Sequence, residues 1–377
     1  MFTVVAKREI SRSGVLGHKR IDYLDQVRAL AIVPVMIQHY HSGWLPGGGI
    51  GVGIFFALSG FLITTILLEQ DDWGPSAAWR FIIRRFMRIY PAYVVAICAT
   101  VLSTYIWRPE VLPKTTAALY GLLTFTETSA WVGYGFGVLW TLQVEMWFYV
   151  LMPLSMLVLG RRLGVIATSL AMIYLSISLL LSHLGGALIA QFGAALAFGA
   201  VVSFAWKSKS LRGGSGLAYA IIALSLGGIV VLLVLPPTPH NAWVMEVLGG
   251  AIGGCGLISA YLIDPSLPTF GAVAWVGRIS YSLYLFHAVV LDTPWLYRGV
   301  QTVLIKFLPV SQLTSYTMAF FVSATFIAAL SYYFVERPAI RLGARLSEFI
   351  FKDWHAFMSW PSVGSSEVDV ASETARP

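Results

Sequence analysis

The chain has 377 residues, of which 57% are hydrophobic and only 11% charged, with a mean hydropathy of +0.75. Soluble domains carry about 25% charged residues, so this composition excludes an ordinary soluble enzyme and points to a protein dissolved in a bilayer. The net charge of +7 does not argue for a nucleic-acid partner, because the basic residues are spread along the chain rather than pooled in one domain.

Residues 1–20, MFTVVAKREISRSGVLGHKR, hold no apolar run of signal-peptide length and read as a basic cytosolic tail. From there the sequence predicts membrane helices of about 20 residues at 27–45, 51–69, 89–107, 139–159, 163–181, 187–206, 217–235, 243–263, 271–291 and 313–335. The stretch from Thr115 to Thr128 is too short and too rich in threonine for a span and reads as re-entrant or interfacial. Residues 346–377 read as a second cytosolic tail, polar and disordered towards its end. The fold class is therefore all-α and polytopic, with about ten transmembrane helices forming one membrane domain over 21–345. With both termini inside, only Arg108, Lys114, Arg298 and Lys306 of the 25 basic side chains fall on the outer side, the bias expected of a correct topology. Cys98 and Cys255 sit in apolar stretches without metal-ligand spacing, so neither a disulfide nor a metal centre is expected.

Ionisable side chains inside such helices are costly and call for a reason. Arg28 and His39 lie three helical turns apart on one stripe of the first helix, with a rise of roughly 16 Å between them. Glu145 in the fourth helix and His287 in the ninth share the outer level with His39. Arg84, Arg85 and Arg88, with Arg28 and Arg278, crowd the inner level. A cationic inner mouth below a carboxylate-and-imidazole layer suits a long anionic molecule threaded from the cytosol, but names no reaction. A transporter with a polar Arg/His/Glu path is the alternative, although no pair of similar halves is visible. Blander roles also fit: Arg28 as a snorkelling anchor, His39 as a partner for carbonyls freed by Pro34, and Ser59 as a packing residue beside Gly60. Glu336 most simply ends the last helix before Pro338.

Six blocks carry a family resemblance. They are R-x10-H at Arg28 and His39, GIGVGIFFALSGFLI at 49–63, RRFMRIYPAY at 84–93, LWTLQVEMWFY at 139–149, GRISYSLYLFH at 277–287 and FVERP at 334–338. In that order and at those membrane edges, the chain resembles the acyltransferase 3 family of integral-membrane acyltransferases, in the form without a fused C-terminal hydrolase-like domain. The resemblance implies transfer of an acyl group, acetyl by default, from cytosolic acyl-CoA to a hydroxyl of an envelope or exported carbohydrate. It implies the bacterial inner membrane as the location. His39 would be the catalytic base and Glu145 the carboxylate that orients it, while Arg28, Arg85 and Arg88 would hold the CoA phosphates. His287 is the rival candidate for the base, but is read with Tyr284 and Tyr149 as facing the substrates, and neither a metal nor a tightly bound cofactor is implied.

Overall fold

A computed structural model of the chain describes residues 18–126, 137–181, 188–207, 213–234 and 248–351. The expected basic and polar ends therefore lie largely outside the described residues, as do the last two residues of the 115–128 segment. Among the described residues all regular structure is helical. The elements are α1 (His18–Tyr40), α2 (Ile50–Leu68), α3 (Pro75–Trp107), the short α4 (Leu112–Ala117) and α5 (Leu119–Leu123), and α6 (Trp140–Leu159). They continue with α7 (Arg161–Leu181), α8 (Leu188–Lys207), α9 (Ser215–Val234), α10 (Gly250–Ile263) and α11 (Gly271–Arg278). Last come α12 (Ser280–Leu291), α13 (Pro294–Phe307), α14 (Gln312–Ser331), a π turn (Tyr332–Glu336) and α15 (Arg337–Phe351).

Each of the ten expected segments is helical over most of its length. By length and apolarity alone, however, five helices among the described residues qualify as membrane spans, or six if α11 and α12, bent by 66° at Ile279, form one. Two of the shortfalls have visible causes: α1 opens with a charged turn, and α10 has only 14 residues. The chain is an integral membrane protein on these helices, and its exact number of crossings is a separate question. The segment after α3 folds as two short helices, with Tyr93 donating to the Leu122 carbonyl at 2.9 Å, and is too short to cross.

α2 lies at the centre and is buried on most of its faces. It touches α8 backbone to backbone: a Cβ on Gly60 would overlap the Leu196 carbonyl, and one on Gly199 the Ala57 carbonyl. Small residues are what allow membrane helices to approach this closely. Gly277, at the end of α11, meets the Asp25 carbonyl of α1 in the same way, and this contact fixes α1 against the α11–α12 bend. α9 is peripheral, with Leu224, Val230 and Val234 exposed as expected of a lipid-facing surface.

Two expectations change here. α3 runs through Arg84, Arg85 and Arg88 rather than starting after them; its 33 residues make it about 50 Å long. The last helix does not end at Glu336 either. Pro338 offers no N–H to the α-helical ladder, and the chain answers with a π turn in which the Arg337 N–H reaches the Tyr332 carbonyl. α15 then carries on to Phe351, beyond the expected domain edge at 345.

Candidate active site

The sequence-predicted residues fall into two chambers. The first is a cavity among α1, α2, α3, α6 and α11–α12, lined by Arg28, Arg85, Arg88, Arg278, Glu145 and Tyr149, with Ser59, Tyr281 and Tyr284. Two of its four guanidinium groups are already paired on α1. Arg28 Nη1 binds Asp25 Oδ1 at 2.6 Å, and Arg278 Nη1 lies 3.3 Å from Asp22 Oδ1. Arg85 sits over the rings of Phe81 and Tyr149, at 5.4 and 5.7 Å from their centroids. Arg84 turns away and donates to Ser347 Oγ of α15 at 2.8 Å, so it ties two helices together outside the cavity. Consecutive residues differ by about 100° around a helix, which is why neighbours Arg84 and Arg85 part company.

Glu145 belongs to this cavity. One of its oxygens accepts from Ser59 Oγ at 2.7 Å and from the Tyr149 hydroxyl at 2.5 Å. Its expected place beside His39 is not what the structure shows. The shared-depth reading assumed a first helix running to residue 45, but α1 stops at Tyr40, where the chain turns through HSGWLPGGG. His39 therefore stands in the last turn of α1, exposed, in an open pocket formed with Gln38, Tyr40, His41 and Ser42.

What stands beside His39 is His287. His39 Nδ1 and His287 Nε2 are 2.8 Å apart, with the two rings nearly coplanar, at an interplanar angle of 9° and centroids 5.1 Å apart. His287 is fully buried, and its Nδ1 lies 3.1 Å from the Leu283 carbonyl oxygen one turn earlier on α12. These contacts fix the proton positions. A carbonyl oxygen only accepts, so His287 Nδ1 carries the hydrogen and its Nε2 bears a lone pair. That lone pair requires a donor, so His39 Nδ1 carries the second hydrogen. His39 Nε2 is then the free basic nitrogen, on the ring that is open to the pocket.

Tyr284 lies between the chambers and lines the first. Its hydroxyl donates to the Val138 carbonyl at 2.9 Å and lies 3.0 Å from Thr141 Oγ1. Of four residues that shape this arrangement, sequence reasoning passed over Asp25 and Thr141, and gave Ser59 and Glu336 only packing and helix-end roles. Asp25 had a signal, because Asp22, Asp25 and Arg28 recur at i, i+3 spacing on one helical face. Glu336, at 1% exposure in the π turn, accepts from Ser282 Oγ at 2.9 Å. Nothing in VERP distinguishes that from a helix end.

The described residues thus form a bundle of apolar helices with a cationic cavity on one side of a histidine pair. The family model described as an acyltransferase domain matches residues 21–335, and the chain belongs to that family, acyltransferase 3. Among its relatives, a peptidoglycan O-acetyltransferase OatA of Listeria monocytogenes is 28% identical, over 93% of this chain and 60% of the relative. An O-acetyltransferase OatA of Staphylococcus aureus is 26% identical, over 87% of this chain and 58% of the relative. The chain thus spans about 60% of the length of the curated relatives it matches. No solved structure matches it.

Proposed function

We propose that this protein is an O-acetyltransferase of the bacterial inner membrane, which moves an acetyl group from cytosolic acyl-CoA to a hydroxyl of an envelope carbohydrate, with His39 as general base. The observation that carries the reading is the chain from His39 Nδ1 through His287 to the Leu283 carbonyl, which leaves His39 Nε2 unprotonated on the exposed ring. In this reading His39 Nε2 takes the acceptor's proton as the acceptor oxygen attacks the thioester carbonyl. The carbon–sulfur bond then breaks, and the proton passes to the departing thiolate. The transient imidazolium keeps its Nδ1–H bond to His287, which takes the orienting role that a carboxylate plays in a serine-protease triad. Glu145 serves instead as an organiser of the donor cavity, through Ser59 and Tyr149.

The donor's phosphates suit Arg85 and Arg88, whose guanidinium groups reach the cavity without a hydrogen-bonded carboxylate among the described residues, whereas Arg28 is engaged by Asp25. Arg28 then shapes the cavity wall more than it binds phosphate. With the arginine chamber facing the cytosol, the donor enters where acyl-CoA is made and His39 faces the acceptor. Acetyl and a carbohydrate acceptor are supported by the names of the relatives. The test is transfer from radiolabelled acetyl-CoA to peptidoglycan fragments by the protein in nanodiscs. A positioned base contributes about 10²–10⁴-fold, so His39→Ala should fall by that factor while still binding acetyl-CoA. Near wild-type turnover in His39→Ala would remove the imidazole from the mechanism.

A further inference from the structure

Among the described residues the two chambers share no lining side chain. The lining of the arginine cavity includes Phe55, Thr141, Leu142 and Tyr284, but neither His39 nor His287. The pocket around His39 shares none of these residues. A donor held by Arg85 and Arg88 therefore has its acyl end on one side of a partition and the base on the other.

The partition is centred on Tyr284. Its side chain is buried, at 8% exposure, with its ring 6.3 Å from Phe55 edge-on and 5.8 Å from the His287 ring. Its hydroxyl donates to the Val138 carbonyl, and Thr141 Oγ1 lies 3.0 Å from both that carbonyl and the hydroxyl. The tether comes from the turn that starts α6, so it joins the partition to a different element from the one that bears the ring. We infer that the Tyr284 ring is the gate between donor cavity and base, and that this tether makes Tyr284 a specificity-determining residue that admits short acyl groups and excludes longer ones.

The inference rests on the proposed acyl transfer and adds a physical consequence to it. An acetyl thioester needs only a small displacement of the ring to bring its carbonyl to His39. Each further methylene must fit between Phe55 and a ring held at its far end by hydrogen bonds. One methylene against a packed wall discriminates by about 10-fold or more. A closed ring also keeps water on the His39 side away from a waiting thioester, so hydrolysis without acceptor stays slow.

Two measurements test the gate. The first compares acetyl-CoA with butyryl-CoA as donor, and counts CoA released without acceptor. Wild type should prefer acetyl by at least about tenfold. Tyr284→Ala should erase most of that preference and raise acceptor-independent hydrolysis. Tyr284→Phe, which keeps the ring and loses the tether, should raise hydrolysis while keeping part of the preference. The second needs no acyl chemistry, so it separates failure of the gate from failure of the proposed reaction. In a background without Cys98 and Cys255, Ser59→Cys places a thiol in the arginine cavity. A small impermeant methanethiosulfonate applied from the His39 side should leave it unmodified when Tyr284 is present and modify it in the Tyr284→Ala double variant. Labelling in both proteins, or in neither, overturns the gate. An unchanged acyl preference in a folded Tyr284→Ala protein that still turns over acetyl-CoA overturns the specificity role.

Discussion

His287 is the side chain whose meaning changes most once its surroundings are known. In sequence it competes with His39 for one role; in space it is the residue that fixes His39's tautomer. An Nδ1 bonded to a carbonyl leaves one acceptor nitrogen, and that nitrogen holds the neighbouring ring. His287→Ala should therefore slow transfer without changing the KM for acetyl-CoA, and His287→Gln should recover part of the loss, since an amide oxygen can accept from His39 Nδ1. Equal rates for the two variants would mean that His287 acts by packing alone. Asp292, just past the end of α12, gives a second residue-level expectation. Its Oδ2 is buried and has no hydrogen-bond partner among the described residues, and burial pushes its carboxyl from 3.8 up to about 6 against the pull of Arg108. The folded state thus holds this proton more tightly than the unfolded chain does. The group favours the fold most below about pH 4, and that contribution fades as pH rises towards 6. Asp292→Asn should flatten this part of the profile of thermal unfolding against pH, measured in detergent.

At the scale of elements, α3 shows how one helix divides its charges. Arg84 holds α15, while Arg85 and Arg88 face the donor cavity. The double variant Arg85→Ala/Arg88→Ala should raise the KM for acetyl-CoA more than it lowers kcat, because ground-state phosphate contacts are lost. Arg84→Ala should instead lower the unfolding temperature by a few degrees with KM unchanged. A double variant that binds CoA as well as wild type in calorimetry would leave these arginines with topology alone. The segments α1 to α3, α6, α9 and α14 were legible in sequence because a long apolar run leaves a helix no alternative in lipid. The arginine cluster was legible too, because unpaired charge in such a run is costly. Which face each arginine takes was not, since that depends on α15, an amphipathic helix outside the spans. Nor was the parting of Glu145 from His39. It turns on α1 ending at Tyr40, and a chain that continues HSGWL gives no sharp stop before Gly43 and Pro46. The π turn was hidden for a different reason: Pro338 is as consistent with a stop as with a shifted ladder.

For the whole molecule, the two chambers have a direction only if the helices between them cross the membrane as the charges require. The short α10 decides how. On the ten-span reading, α9, α10 and the α11–α12 pair all cross, so Gly214 and Gly299, which flank them, lie on opposite sides. If α10 does not cross, two crossings remain and the two glycines share a side. α10 covers only about 21 Å, less than the roughly 30 Å of hydrocarbon, yet its composition is apolar throughout. A Cβ at either glycine meets nothing within 4 Å, so cysteine at these positions is tolerated by the packing. With Cys98 and Cys255 replaced, an impermeant maleimide should label cysteine at Gly299 in intact cells, and cysteine at Gly214 only after permeabilisation. That outcome puts Arg85 and Arg88 on the cytosolic side, where acyl-CoA is present, and His39 on the side of the envelope. Labelling at both positions from outside would leave α10 as a half-buried helix and reduce the count. Labelling at Gly214 alone would turn the arginine chamber away from its donor, and the proposed reaction could not run in that orientation.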